Sequence, residues 1–152
     1  MCALIEFKDV VKEYKSGDHV LRAMDNVNFT VDEGEFVVIL GPSGAGKSTL
    51  LNLLGGLDSA TSGQIVVNGE HVENFNDNEL TNYRAKNVGF IFQFYNLIPN
   101  LTAIENVELM KNIVDVDIDG NAVLNSVGLE GHANQFPAQL SGGEQQRVSI
   151  AR

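Results

Sequence analysis

The sequence predicts an α/β fold built around a phosphate-binding loop, on three observations. An apolar run at residues 36–40 breaks into the glycine-rich stretch Gly41, Pro42, Ser43, Gly44, Ala45, Gly46, and an apolar-striped segment opens at Lys47. Short β-prone runs punctuated by turn residues precede this junction. Stretches with the 3.6-residue apolar period of amphipathic helices follow it.

Taken in order, residues 5–11, 20–24 and 27–31 are β-prone runs separated by polar turns such as Ser16, Gly17 and Asp18, a spacing that predicts antiparallel hairpins. Residues 32–35 turn the chain into the strand expected at 36–40. In the helix after the loop, expected to end near Leu57, the residues Leu50, Leu53, Leu54 and Leu57 recur at i, i+3, i+4 and i+7, which places one apolar stripe against a sheet. Gly55 and Gly56 weaken its last turn, residues 59–63 read as a loop, and residues 64–68 as a strand closing at Asn68 and Gly69. Asn76 or Asp77 can cap a helix through about Ala85, and residues 88–92 read as a buried strand ending at Gln93.

Pro99 interrupts the loop that follows. Thr102 and Glu105 then have capping-box spacing, with Ala103, Val107, Met110 and Val114 on one helical face. Residues 115–120 are acidic and turn-like, a shorter helix is expected over 121–127, and Gly128 can stop it. Ser141 and Glu144 repeat the capping-box spacing, so residues 142–152 should form a helix with a glycine-rich start. That start reads either as a second anion site or as a plain capped helix. With no repeat or linker, one compact domain is expected.

The loop carries the chemistry. Gly41, Gly46, Lys47 and Ser48 fit G-x-x-x-x-G-K-[ST], in which glycine lets backbone N–H groups turn inward around a phosphate. Lys47 would reach the β- and γ-phosphates of ATP, Ser48 would offer its hydroxyl to Mg²⁺, and the positive end of the following helix adds to the attraction for the anion.

Composition narrows the partners. Twenty acidic residues against ten Lys and Arg give a formal charge of −10 in 152 residues, whereas a nucleic-acid binder shows a basic face, so neither DNA nor RNA is expected. The same charge disfavours long-range attraction of ATP. Local features, namely the loop amides, Lys47 and a metal ion, must hold it. No stretch approaches about 18 consecutive apolar residues and no basic segment precedes an apolar one at the start, so a soluble, unexported chain is expected. Cys2, the only cysteine, is not expected to be catalytic, and His19, His71 and His132 read as surface residues.

The loop from Gly41 to Thr49, together with Leu140, Ser141, Gly142, Gly143, Glu144, Gln145, Gln146 and Arg147, resembles the Walker A and signature motifs of an ABC transporter ATP-binding subunit. Phe90, Ile91, Phe92 and Gln93 match that family's Q-loop in position and order, and Tyr14 stands where the family has an aromatic residue that stacks on adenine. The resemblance runs from about Leu4 to Arg152. In detail it is closest to the lipoprotein-release and macrolide-export type, as in Gly56, Leu57, Asp58 and in Leu101, Thr102, Glu105, Asn106, Val107.

The resemblance implies a P-loop NTPase of the ABC ATPase type, with an antiparallel β subdomain and a helical subdomain. It implies catalytic roles for Lys47, Gln93 and Ser141, and nucleotide contacts from Tyr14, from Gly41, Pro42, Ser43, Gly44, Ala45, Gly46, Lys47, Ser48 and Thr49, and from Gln93, Ser141, Gly142, Gly143 and Glu144. Ser48 and Gln93 would contact Mg²⁺. The implied active unit is a dimer that sandwiches two ATP molecules, bound to a membrane permease on the inner face of the cell membrane and working in export. The family continues past its signature into a strand with an acidic pair, whereas this sequence ends at Arg152. Residues 1–152 are therefore expected to be a partial nucleotide-binding domain, with part of its core missing and no hydrolysis of its own. A nucleotide-binding module without turnover, or a soluble ABC-type ATPase of DNA repair or translation, are the alternatives.

Overall fold

The first β-prone runs join into one long hairpin. β1 (Ile5–Ser16) and β2 (His19–Val31) pair antiparallel through Gly17 and Asp18, where Gly17 takes a φ of +59°. Between residues 24 and 27 the chain bulges instead of turning: the register shifts, Asp9 and Asn26 adopt φ of 49° and 47°, and Asn28 fastens the kink by accepting from Asp9 N at 2.9 Å. β3 (Ser62–Val67) adds to β1 and β4 (Glu70–His71) to β3, giving an antiparallel sheet in the order β2-β1-β3-β4.

The structure, a computed structural model, describes residues 3–109, 111, 117 and 119–152. These divide into two compact units, Met1–Val88 and Gly89–Arg152.

In the first unit, α1 (Lys47–Leu54) and α2 (Asp77–Asn87) accompany the sheet. The core is Phe7, Val10, Met24, Leu53, Ile65, Val67, Val72 and Tyr83, with Leu50 and Leu54 packed at its margin. α1 ends three residues short of Leu57, which is half exposed. Gly56 takes a φ of +64°, while Tyr83 Oη and Arg84 Nη1 donate to the carbonyls of Leu54 and Gly56, each at 2.7 Å. Those bonds satisfy carbonyls that a helix end leaves unpaired. α2 starts with a capping box formed by Asn76 and Glu79.

The second unit holds α3 (Ala103–Glu108), α4 (Gly120–Ser126) and α5 (Gly142–Ala151) around Ala103, Val107, Leu124, Leu129, Leu140 and Val148. Thr102 and Glu105 box the start of α3, and Asp119 caps α4. Cys2, Met110, Val114 and much of the acidic turn lie outside the described residues.

Two expected strands are absent. Residues 36–40 and 88–92 form no strand, Phe36 and Leu40 are 93% and 86% exposed, and Ile91 is exposed as well. A strand exists only as part of a hydrogen-bonded ladder. Among the described residues the ladders are those joining β1 to β4, so these apolar segments have β propensity without a partner.

Leu53 is 1% exposed, and Leu53→Ala is expected to cost about 3 kcal/mol by loss of burial and creation of a cavity, read as a lower urea midpoint. Acid should act through Glu73. Burial pulls its carboxyl upward, but bonds from Ile65 N–H at 3.0 Å and from His71 at 2.8 Å hold it below its ordinary value of 4.5. A carboxylate depressed in the folded state contributes stability that is complete above 4.5 and lost as pH falls through the lower folded value. Urea denaturation at pH 7 and pH 4 should show that loss, and Glu73→Gln should reduce the difference between them.

Candidate functional site

α1 opens directly from the glycine loop. Its N-cap is Gly46 at φ +82°, with no side-chain cap, and the first backbone bond of the helix runs from Leu50 N to Gly46 O at 2.9 Å. The amides of Lys47, Ser48 and Thr49 therefore begin the helix without an intrahelical acceptor. Each of the other α-helices among the described residues has a side chain, from Asn76, Thr102, Asp119 or Ser141, bonded to its first-turn amides. Among the described residues, the one α-helix start left open is the one at the loop.

The loop is shaped to face that start. Gly44 and Gly46 take φ of +81° and +82°, and Ala45 N bonds Pro42 O at 3.2 Å across a tight turn whose exposed tip is Ser43. At Gly46 a Cβ would come within 2.6 Å of the Ala23 carbonyl oxygen, so glycine is required both by conformation and by the approach of β2. Lys47 bends back over the loop, and its Nζ donates to Gly41 O at 2.8 Å and Pro42 O at 2.7 Å. An ammonium has three donors, so one remains for an anion at the helix start. A cavity of about 270 Å³ beside the loop is lined by Ala23, Met24, Ile39, Gly46, Lys47 and Leu50.

Tyr14 lies on β1 opposite Leu21, two residues along β2 from Ala23. It is 39% exposed, and its hydroxyl donates to Asp58 Oδ2 at 2.8 Å. Reasoning from sequence did not find Asp58 or the nearly buried Lys12 as partners of Tyr14. The signal was the alternation of Lys12 and Tyr14 on one strand face.

In the second unit Gln93 sits exposed in a turn, and Tyr95 and Asn96 follow it at φ of 53° and 51°. Two side chains hold this unusual stretch. Arg152 Nη1 donates to Asn96 O at 2.7 Å, and the fully buried Asn106 accepts from Ile98 N at 2.8 Å while donating to Ile98 O, Leu101 O and Thr102 O.

Ser141 caps α5. Its N–H donates to Glu144 Oε2 at 2.6 Å, and its Oγ accepts from Glu144 N at 3.4 Å, leaving the hydroxyl proton free to donate elsewhere. The bond from Ser141 N–H holds the Glu144 carboxyl below its ordinary value, and His132, half buried, stands 3.5 Å from its other oxygen. Gly142 and Gly143 form the first turn, and at Gly142 a Cβ would meet the Tyr95 hydroxyl at 3.2 Å. The start of α5 is therefore a self-capped helix with two glycines, unlike the open start of α1.

The sequence profile of the ABC transporter family matches residues 24–152. MJ0796 of Methanocaldococcus jannaschii, an uncharacterized ABC transporter ATP-binding protein, is 44% identical over 98% of this chain and 67% of its own length. An uncharacterized ABC transporter ATP-binding protein of Thermotoga maritima is 46% identical over 100% of this chain and 67% of its own. The macrolide export ATP-binding/permease protein MacB of Hyphomonas neptunium is 44% identical over 98% of this chain and 24% of its own. The dimeric post-hydrolysis structure of the ATP-binding cassette MJ0796 bound to ADP and Pi matches with a TM-score of 0.88 at 44% identity, over 97% of this chain and 67% of that one. On the profile match, the identity to these relatives and the structural likeness, the chain belongs to the ABC transporter ATP-binding family and has its P-loop ATPase fold.

Proposed function

We propose that this chain binds ATP with Mg²⁺ at the loop of residues 41–49 as the ATP-binding subunit of a transporter that couples ATP binding and hydrolysis to export. It would do so through a partner permease and with a second ATP-binding subunit, peripheral on the inner face of the membrane. The open start of α1 carries this reading, because its uncapped amides and positive helix end stand beside the Lys47 ammonium, which keeps one donor beyond its bonds to Gly41 O and Pro42 O. Export is supported by the resemblance to MacB, a macrolide export ATP-binding/permease protein, and pairing by the dimeric state of the MJ0796 cassette.

Within this reading the Ser48 hydroxyl is an oxygen donor suited to a hard cation, which when bound would neutralise charge on the phosphates. The ring of Tyr14 stacks on adenine, an interaction of about 1 to 3 kcal/mol where bases stack on aromatic side chains. Ser141, Gly142, Gly143 and Glu144 meet a nucleotide held by the other subunit. Among the described residues no helix is long and apolar enough to cross a membrane, and the permease would supply that path.

Lys47→Ala should lower ATP affinity at least about tenfold in a calorimetric titration with Mg²⁺, since it removes the charge-assisted bond aimed at the phosphates, and should leave the circular dichroism spectrum unchanged. Equal affinities would remove the basis of the loop assignment. Ser141→Arg should spare ATP binding by a single subunit yet abolish ATP-dependent dimerisation in light scattering, because bulk at the helix start blocks the partner's nucleotide. If ATP binding instead falls as far as in Lys47→Ala, the signature serves its own subunit and the sandwich reading fails.

A further inference from the structure

A small polar network ties Tyr14 to the segment after α1. Lys12 and Tyr14 share one face of β1, and Asp58 follows the turn that ends α1. Lys12, only 9% exposed, gives its Nζ to Asp58 Oδ1 at 2.5 Å and to Ser59 O at 2.7 Å, and the same ammonium lies over the Tyr14 ring, 4.9 Å from its centroid. Asp58 accepts from Lys12 and Ser59 N on one oxygen and from the Tyr14 hydroxyl on the other. Burial raises the Asp58 carboxyl, but these bonds together hold it below its ordinary value.

The network orients a ring. A lysine buried to this degree requires a paired carboxylate, and Asp58 is that partner. The pair also fixes Tyr14 at two points, its hydroxyl through Asp58 and one ring face through the Lys12 cation. The ring remains 39% exposed, which leaves surface for a ligand. Tyr14 is opposite Leu21, about 7 Å along β2 from Ala23, whose carbonyl touches the loop at Gly46.

We propose that Lys12 and Asp58 are positioning residues, which hold the Tyr14 ring ready for the adenine and so make the site prefer a nucleotide over a bare phosphate chain. This inference rests on the reading of Tyr14 as the adenine platform. Phosphate binding would belong to the loop alone, while base recognition would depend on a bond between β1 and the end of α1.

The test compares MgATP with magnesium tripolyphosphate, which offers the phosphates without the base, by calorimetric titration of the protein and its variants. Asp58→Asn and Tyr14→Phe should each weaken ATP about 2- to 10-fold, the range expected for one lost hydrogen bond, with tripolyphosphate affinity unchanged. The double variant should lose less than the two single losses combined, because both variants act on the Tyr14–Asp58 bond and only Asp58→Asn also removes the charge paired with Lys12. Parallel losses for the two ligands would mean a merely structural role and would overturn the inference, as would losses that simply add. Tyr14→Ala separates the two levels of the argument. If it weakens ATP selectively while Asp58→Asn and Tyr14→Phe do not, only the positioning role falls; if it leaves ATP affinity unchanged, the adenine platform falls and the positioning role with it.

Discussion

The approach of Gly46 to the Ala23 carbonyl is the constraint on which the first unit depends. It sets β2 against the loop, it demands a left-handed residue without a Cβ, and it starts α1 immediately afterwards. From that point one side of the chain becomes an apolar helix that places Leu53 in the core, and the other becomes a turn whose carbonyls Lys47 gathers. Fold and candidate site thus share one junction, so the path of the loop at Gly46 is set by the sheet.

The Gly89–Arg152 unit achieves rigidity by a different route. Tyr95 and Asn96 adopt left-handed angles that cost energy in residues with side chains, and such conformations persist only when neighbours over-determine them. Asn106 does so with every polar atom of its side chain engaged, and Arg152 adds a clamp from the end of α5. Gln93 is consequently an exposed side chain at the tip of a well-fastened loop, a combination suited to contact without rearrangement of its base.

Features with local causes were legible in the sequence. The capping boxes at Thr102 and Ser141 need only a partner three residues on and were found where expected, and of the two candidate caps Asn76 and Asp77 it is Asn76 that caps α2, boxed with Glu79. Features with distant causes were not. α1 stops at Leu54 partly because Tyr83 and Arg84 bind its end, and Tyr14 owes its orientation to Asp58, which is 44 residues away. Residues 36–40 and 88–92 failed as strands for a related reason, since β propensity describes a willingness to pair and none of the ladders among the described residues includes them.

The open start of α1 also makes part of this molecule's order conditional. A helix of 8 residues is marginal by itself, and its first turn lacks the side-chain acceptor that steadies the other helices. An anion captured there acts as the missing cap, so its binding free energy is also free energy of local folding. Breathing of the loop and of the first turn of α1 would slow as nucleotide rises, which amide hydrogen exchange at Lys47, Ser48 and Thr49 would register, while α2 and α3, capped by their own sequence, would exchange at a pace indifferent to it. Under the proposed function, the occupancy of that site would set the order of one helix.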